Sequence, residues 1–111
     1  MVTGWHSEME NNEKVWYYFD SNGVMITGWK EIGSSWYYFA SSGKMATSSW
    51  QKDSKGRYSY LKSNGVACVS EFYKIDGKYY YFDADGIMAT SNVTVKGKTY
   101  IIKSSGEVTN Y

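Results

Sequence analysis

Two stretches, Trp16-Tyr17-Tyr18-Phe19 and Trp36-Tyr37-Tyr38-Phe39, set four large aromatic residues in a row, and the chain returns to the pattern at Tyr58-Ser59-Tyr60-Leu61, Tyr79-Tyr80-Tyr81-Phe82 and Thr99-Tyr100-Ile101-Ile102. The face of each ring carries negative potential without the desolvation cost of a carboxylate. Several such faces around one space attract a cation with few hydrogen-bond demands, and quaternary ammonium is the expected guest. Nothing comparable supports catalysis. His6 is the one histidine, too few for a Ser/His/Asp arrangement or a His-bearing metal site, and it reads as an exposed residue of a long polar loop. Asp83-Ala84-Asp85-Gly86 lacks the third oxygen ligand and the distal Glu of a calcium loop and reads as a turn. Cys68, the single cysteine, excludes an internal disulfide and a cysteine metal cluster and reads as packing. No catalytic residue, metal or cofactor is expected.

The elements that position these rings are repeats. The glycines closing each aromatic run, Gly23, Gly43, Gly65, Gly86 and Gly106, are spaced 20, 22, 21 and 20 residues apart. They divide residues 1–111 into one module of five units, 4–27, 28–47, 48–69, 70–90 and 91–111. Asp76-Gly77 and Lys96-Gly97 lie between β-formers, which predicts two-residue hairpin turns with positive φ. A polar turn such as Asp20-Ser21-Asn22-Gly23 then leads into a short segment such as Val24-Met25-Ile26-Thr27. No helical period is present. The 111 residues include five Trp, twelve Tyr and four Phe but only one leucine, Leu61, so Tyr and Trp must supply much of the buried surface. An isolated hairpin is marginal in water. The expected fold is therefore all-β, a solenoid of stacked β-hairpin repeats with atypical end units.

Strand alternation places Trp16 and Tyr18 on one face and Tyr17 and Phe19 on the other. Across the hairpins, Trp5 is expected opposite Trp16, Trp29 opposite Trp36, and Trp50 opposite Tyr58. A neighbouring unit must supply a third ring. The expected cages are Trp5, Trp16 and Tyr38 with Met25, then Trp29, Trp36 and Tyr60 with Met45, then Trp50, Tyr58 and Tyr81 with Ala67 where a methionine is expected. A fourth would use Phe72 or Tyr73, Tyr79 and Ile101 with Met88, one ring short. Replacing Ile101 with Tyr is expected to complete it. The fifth unit, without Trp, reads as a degenerate terminal cap or a self-association surface.

Twelve Lys and Arg against eleven Asp and Glu leave a net charge of +1 with no run of either sign, which gives no footprint for nucleic acid. No stretch of eighteen apolar residues is present, so no membrane-inserting helix is expected. Met1-Val2-Thr3-Gly4-Trp5 is not a signal peptide, and the start reads as cut from a longer chain.

Gly28-Trp29-Lys30-Glu31-Ile32-Gly33-Ser34-Ser35-Trp36-Tyr37-Tyr38-Phe39, followed by Gly43-Lys44-Met45-Ala46-Thr47, resembles the choline-binding, or cell-wall-binding, repeat of Gram-positive surface proteins. The first unit fits with a longer hairpin loop from His6 to Val15, the fourth keeps Tyr79 to Met88, and the third and fifth are degenerate. The resemblance implies a left-handed solenoid, an extracellular and cell-wall-associated place, and binding of the choline of teichoic acids between successive units. The parent protein is then expected to carry an enzyme or adhesin domain. Related repeats bind glucans or host glycans instead. Two other readings stay open: a carbohydrate module, disfavoured by the scarcity of Asn, Gln and Asp near the rings, and a purely structural spacer.

Overall fold

A computed structural model describes residues 1–111 throughout. The fold is all-β, with ten strands paired two by two into five hairpins and no helix. Strands β1 (Gly4–Glu10) and β2 (Glu13–Phe19) form the first hairpin, and β3 (Gly28–Ile32) and β4 (Ser35–Phe39) the second. The third joins β5 (Ser49–Lys52) to β6 (Tyr58–Leu61), the fourth β7 (Glu71–Ile75) to β8 (Lys78–Phe82), and the fifth β9 (Val93–Val95) to β10 (Lys98–Tyr100).

Turn chemistry sets these pairings. Asp76 and Gly77 have φ of 51° and 82°, the doubly left-handed pair of a type I′ turn whose twist matches the flanking strands. Lys96-Gly97, Gly33-Ser34 and Asn11-Asn12 do the same. The last pair corrects an expectation: His6 to Val15 is no long loop. Its residues extend β1 and β2 around a two-residue turn, because alternating residues from His6 to Glu10 continue the ladder as far as Glu10↔Glu13. His6 thus stands in a strand opposite Tyr17, with its ring 6.2 Å from Phe19. The third hairpin has the longer loop instead. There Asp53 Oδ1 accepts the backbone N–H groups of Lys55 and Arg57, and Arg57 Nε donates to Asp53 Oδ2 at 2.7 Å. These bonds hold the Asp53 carboxyl below the usual carboxylate range, the Arg57 backbone N–H first among them.

After each second strand the chain turns sharply and forms one further bridge: Phe19↔Met25, Phe39↔Met45, Leu61↔Ala67, Phe82↔Met88 and Ile102↔Val108. Asp20 Oδ1 caps the first of these turns by accepting from Asn22 and Val24, and Asp83 repeats the device with Asp85 and Ile87. The loop Asp83-Ala84-Asp85-Gly86 is therefore a turn, as its composition suggests.

The chain divides into two compact units, residues 1–49 with 61–67 and residues 50–60 with 68–111. In the first, Phe39, Leu61 and Ala67 are buried. Successive hairpins there are joined by single backbone bonds: Met45 N–H donates to the Trp16 carbonyl and Ala67 N–H to that of Trp36, both at 2.9 Å. Methionines add a second joint, since Met45 seats over Gly65 so closely that a Cβ at Gly65 would lie 2.6 Å from its Sδ. Met25 seats over Gly43 in the same way. In the second unit Cys68, Ile75, Phe82 and Met88 form a core against which Trp50, Tyr60, Tyr73 and Tyr80 pack. Burial pushes the Tyr60 phenol up, so it stays protonated through neutral pH.

Candidate binding site

In the first unit β1 carries Trp5 and β2 carries Trp16, and their rings meet edge to face at 5.9 Å and 89°. They are not directly opposed. The register pairs Trp5 with Tyr18 and Ser7 with Trp16, so the two indoles are diagonal neighbours on one face of the hairpin. The third ring is Tyr37 from the second hairpin, 5.0 Å from Trp5. Trp5, Trp16, Tyr37, Met45 and Asn64 together line a cavity of about 300 Å³.

Tyr38 and Met25, expected in this cage, lie elsewhere. Tyr38 is paired with Trp29 across its own hairpin at 5.1 Å. The physical reason is parity. A hairpin that follows another along a stack turns its back to its neighbour's front, so the Trp16/Tyr18 face meets the Tyr37/Phe39 face, and the third ring must come from the opposite alternation. The same stagger brings Met45, rather than Met25, to this cavity.

The second unit repeats the arrangement. Trp50 stands 6.2 Å from Tyr58 at 90° and 5.1 Å from Tyr80 at 78°, while the Met88 N–H donates to the Tyr58 carbonyl at 2.8 Å. Tyr80 again replaces the expected residue: Tyr81 packs on Phe72 at 4.7 Å. Ala67 instead bonds the Trp36 carbonyl, while Met88 belongs to the buried cluster against which Trp50 and Tyr80 pack.

The expected second cage fares differently. Trp29 and Trp36 are 40% and 43% exposed, and Glu31, not Trp29, is directly opposite Trp36. Ala67 makes the bond to Trp36 that Met45 makes to Trp16, and the position equivalent to Tyr37 and Tyr80 is Ser59 in the sequence. Tyr60 packs on Trp50 and Tyr73. The fourth set of rings is Phe72, Tyr79 and Tyr100, joined by Tyr111. Ile101 is 52% exposed and its N–H donates to Asn110 Oδ1, so it is not the third member; Tyr100 is. A tyrosine at 101 would not complete this group.

Two lysines flank the complete cages: Lys14 Nζ is 5.0 Å from the Trp16 centroid and Lys52 Nζ 5.7 Å from that of Tyr58. A polar groove of about 680 Å³ adjoins the first cage, sharing Trp16, Met45 and Asn64 with it. Glu10, Asn11, Glu13, Lys14, Val15, Thr47 and Ser63 line the remainder, with Lys44 ion-paired to Glu10. No cluster of His, Cys, Asp and Glu able to hold a metal is present.

The choline-binding repeat model matches residues 2–50, 26–72 and 69–110, nearly the whole chain. The chain belongs to the choline-binding repeat family. Choline binding protein F of Streptococcus pneumoniae, solved in the presence of a peptidoglycan analogue, is similar over 98% of this chain and 35% of its own, with 37% identity and a TM-score of 0.82. The choline-binding domain of CbpL from the same organism is 33% identical over 98% of this chain and 56% of its own, with a TM-score of 0.73. The cell wall endolysin of phage Cp-1, solved with choline, shares the fold at 24% identity and a TM-score of 0.67, over all of this chain and 38% of its own. The chain thus spans about a third of the length of the first of these structures. No curated protein matches it in sequence.

Proposed function

We propose that the chain is a non-catalytic module of five hairpins that holds a larger secreted protein at a choline-decorated cell wall. The quaternary ammonium of choline seats among Trp5, Trp16, Tyr37 and Met45, and again among Trp50, Tyr58, Tyr80 and Met88. One observation carries this reading: at both places three rings from successive hairpins converge edge to face, at 5.0–5.9 Å in the first and 5.1–6.2 Å in the second. Rings serving only as core would be covered, yet Trp5 and Tyr58 keep 38% and 36% of their surface. Exposed faces held apart at fixed angles suit a soft cation that sheds little hydration.

The groove beside the first cage supports a guest still attached to its polymer. Asn11, Thr47, Ser63 and Asn64 give it the convergent hydrogen-bonding groups that a sugar or polyol requires. Choline anchors, and the adjoining chain lies along the polar groove of the longer first hairpin. The testing experiment is a tryptophan fluorescence titration with choline chloride, with tetramethylammonium as the minimal ligand and glucose oligomers as controls. A response to both ammonium compounds and none to glucose oligomers is expected. Saturation by glucose oligomers alone would replace this reading with a carbohydrate module, and no response to any of them would leave the spacer.

A further inference from the structure

The fourth group of rings has the makings of a cage but its space is taken. Phe72 stands where Trp5 and Trp50 stand in their hairpins, Tyr79 where Trp16 and Tyr58 stand, and Tyr100 where Tyr37 and Tyr80 stand. The backbone agrees with this alignment, since the Val108 N–H donates to the Tyr79 carbonyl at 2.8 Å as Met88 does to Tyr58. Phe72 and Tyr100 are 4.5 Å apart. The other cages are built of edge-to-face pairs that leave ring faces open. Here Tyr111 lies flat on Tyr79, centroids 3.8 Å apart at 13°, and also touches Phe72 at 5.1 Å and Tyr100 at 6.1 Å.

We infer that Phe72, Tyr79 and Tyr100 form a further quaternary-ammonium site that Tyr111 holds shut. A ring face covered by a parallel ring offers no potential to a cation. The cover is itself open to solvent: Tyr111 is 58% exposed. Lys74 approaches Tyr79 to 5.9 Å, as Lys14 and Lys52 approach the rings of the other cages, and Lys98 adds a second cation 4.8 Å from the Tyr100 centroid, which an incoming ligand must also displace. A ligand here must displace Tyr111, and its apparent affinity falls by the fraction of chains in which the ring is withdrawn.

This inference rests on the cage reading above, and one experiment separates the two. Choline chloride is titrated by calorimetry into the unaltered chain and into Tyr111→Ala, with circular dichroism to verify that the variant is folded and Tyr111→Ser as a second variant. The expected result is one additional site per chain, or about a tenfold gain at the weakest site. Adding Tyr100→Ala to Tyr111→Ala should remove the gain while leaving the Trp5 and Trp50 cages unaffected. Unchanged stoichiometry and affinity in folded variants, with binding at the other cages intact, overturns the shut site alone. Absence of binding in every chain overturns the cage reading and this inference with it.

Discussion

At the scale of single residues the alternation of the strand decides everything, and neighbouring tyrosines have different work. Tyr37 faces Trp5, whereas Tyr38 closes on Trp29 within its own hairpin. Tyr37→Ala is therefore expected to cost about 1–2 kcal/mol of choline affinity at the first cage, the worth of a partly desolvated cation over a ring, and Tyr38→Ala much less at that cage. Fluorescence titration of the two variants reads the difference, and equal losses would contradict the parity of the stack. Sequence alone exposed the ring surplus and called for a third ring beside Trp5 and Trp16 and beside Trp50 and Tyr58, pairs that the structure brings into contact. It named Tyr38 and Tyr81 for that ring, whereas Tyr37 and Tyr80 make the contacts to Trp5 and Trp50, because residue alternation says which rings share a face, not which face the next hairpin meets. The back-to-front rule was available in the repeats, since identical units stacked in one direction cannot join like faces. A second prediction concerns Asp53, whose carboxyl is held below its usual range by the Arg57 and Lys55 N–H groups and the Arg57 side chain. A lowered folded value stabilises the chain above the unfolded value and the contribution is lost as pH falls through the folded one. Asp53→Asn should thus melt lower than the parent at neutral pH, with the gap closing below about pH 4. A gap that persists in acid would assign the effect to geometry rather than charge.

At the scale of elements, a hairpin and its following connector do separate jobs. The hairpins were legible from Asp76-Gly77 and Lys96-Gly97, whose φ values of 51°, 82° and 51°, 81° suit the twist of the strands. The first hairpin was harder to read: its polar residues mimic a loop, yet they pair across from Glu10↔Glu13 down to the ring positions. The second connector shows the joint at its fullest, a backbone bond from Met45 to Trp16 and the Met45 side chain seated over Gly65. Gly65 has a φ of 88°, and a Cβ there would meet Met45 Cε at 2.6 Å. Gly65→Ala is therefore expected to cost about 1–3 kcal/mol of stability for the forced left-handed backbone. It should also weaken choline binding at the first cage, because Met45 lines that cavity. Chemical denaturation and ligand titration of one variant test both effects. A stability loss with unchanged affinity would separate the methionine from the site.

At the scale of the whole molecule, burial is thin and shared among repeats, with Phe39, Leu61, Phe82 and Cys68 the fully enclosed side chains. Each cage draws its rings from successive hairpins of a unit, so a bound cation is available only to the stacked state. Choline at about a hundred times its dissociation constant should add about 2.7 kcal/mol per site to the folded state, seen as a rise in Tm that scales with concentration. A melting temperature indifferent to saturating choline would contradict bridging. The single backbone bonds from Met45 to Trp16 and from Met88 to Tyr58 also fix how such an anchor answers a load. Within each compact unit a chain pulled by its ends would not rupture at once, because successive repeats there are secured by single amides and a few rings. Repeats should pay out in turn, and about 20 residues released at ~3.5 Å each lengthen the tether by roughly 70 Å per step. If choline fills the cages as proposed, it should raise the force of the steps that open them, so that holding a wall and resisting shear would become one property, graded by how many cages are filled.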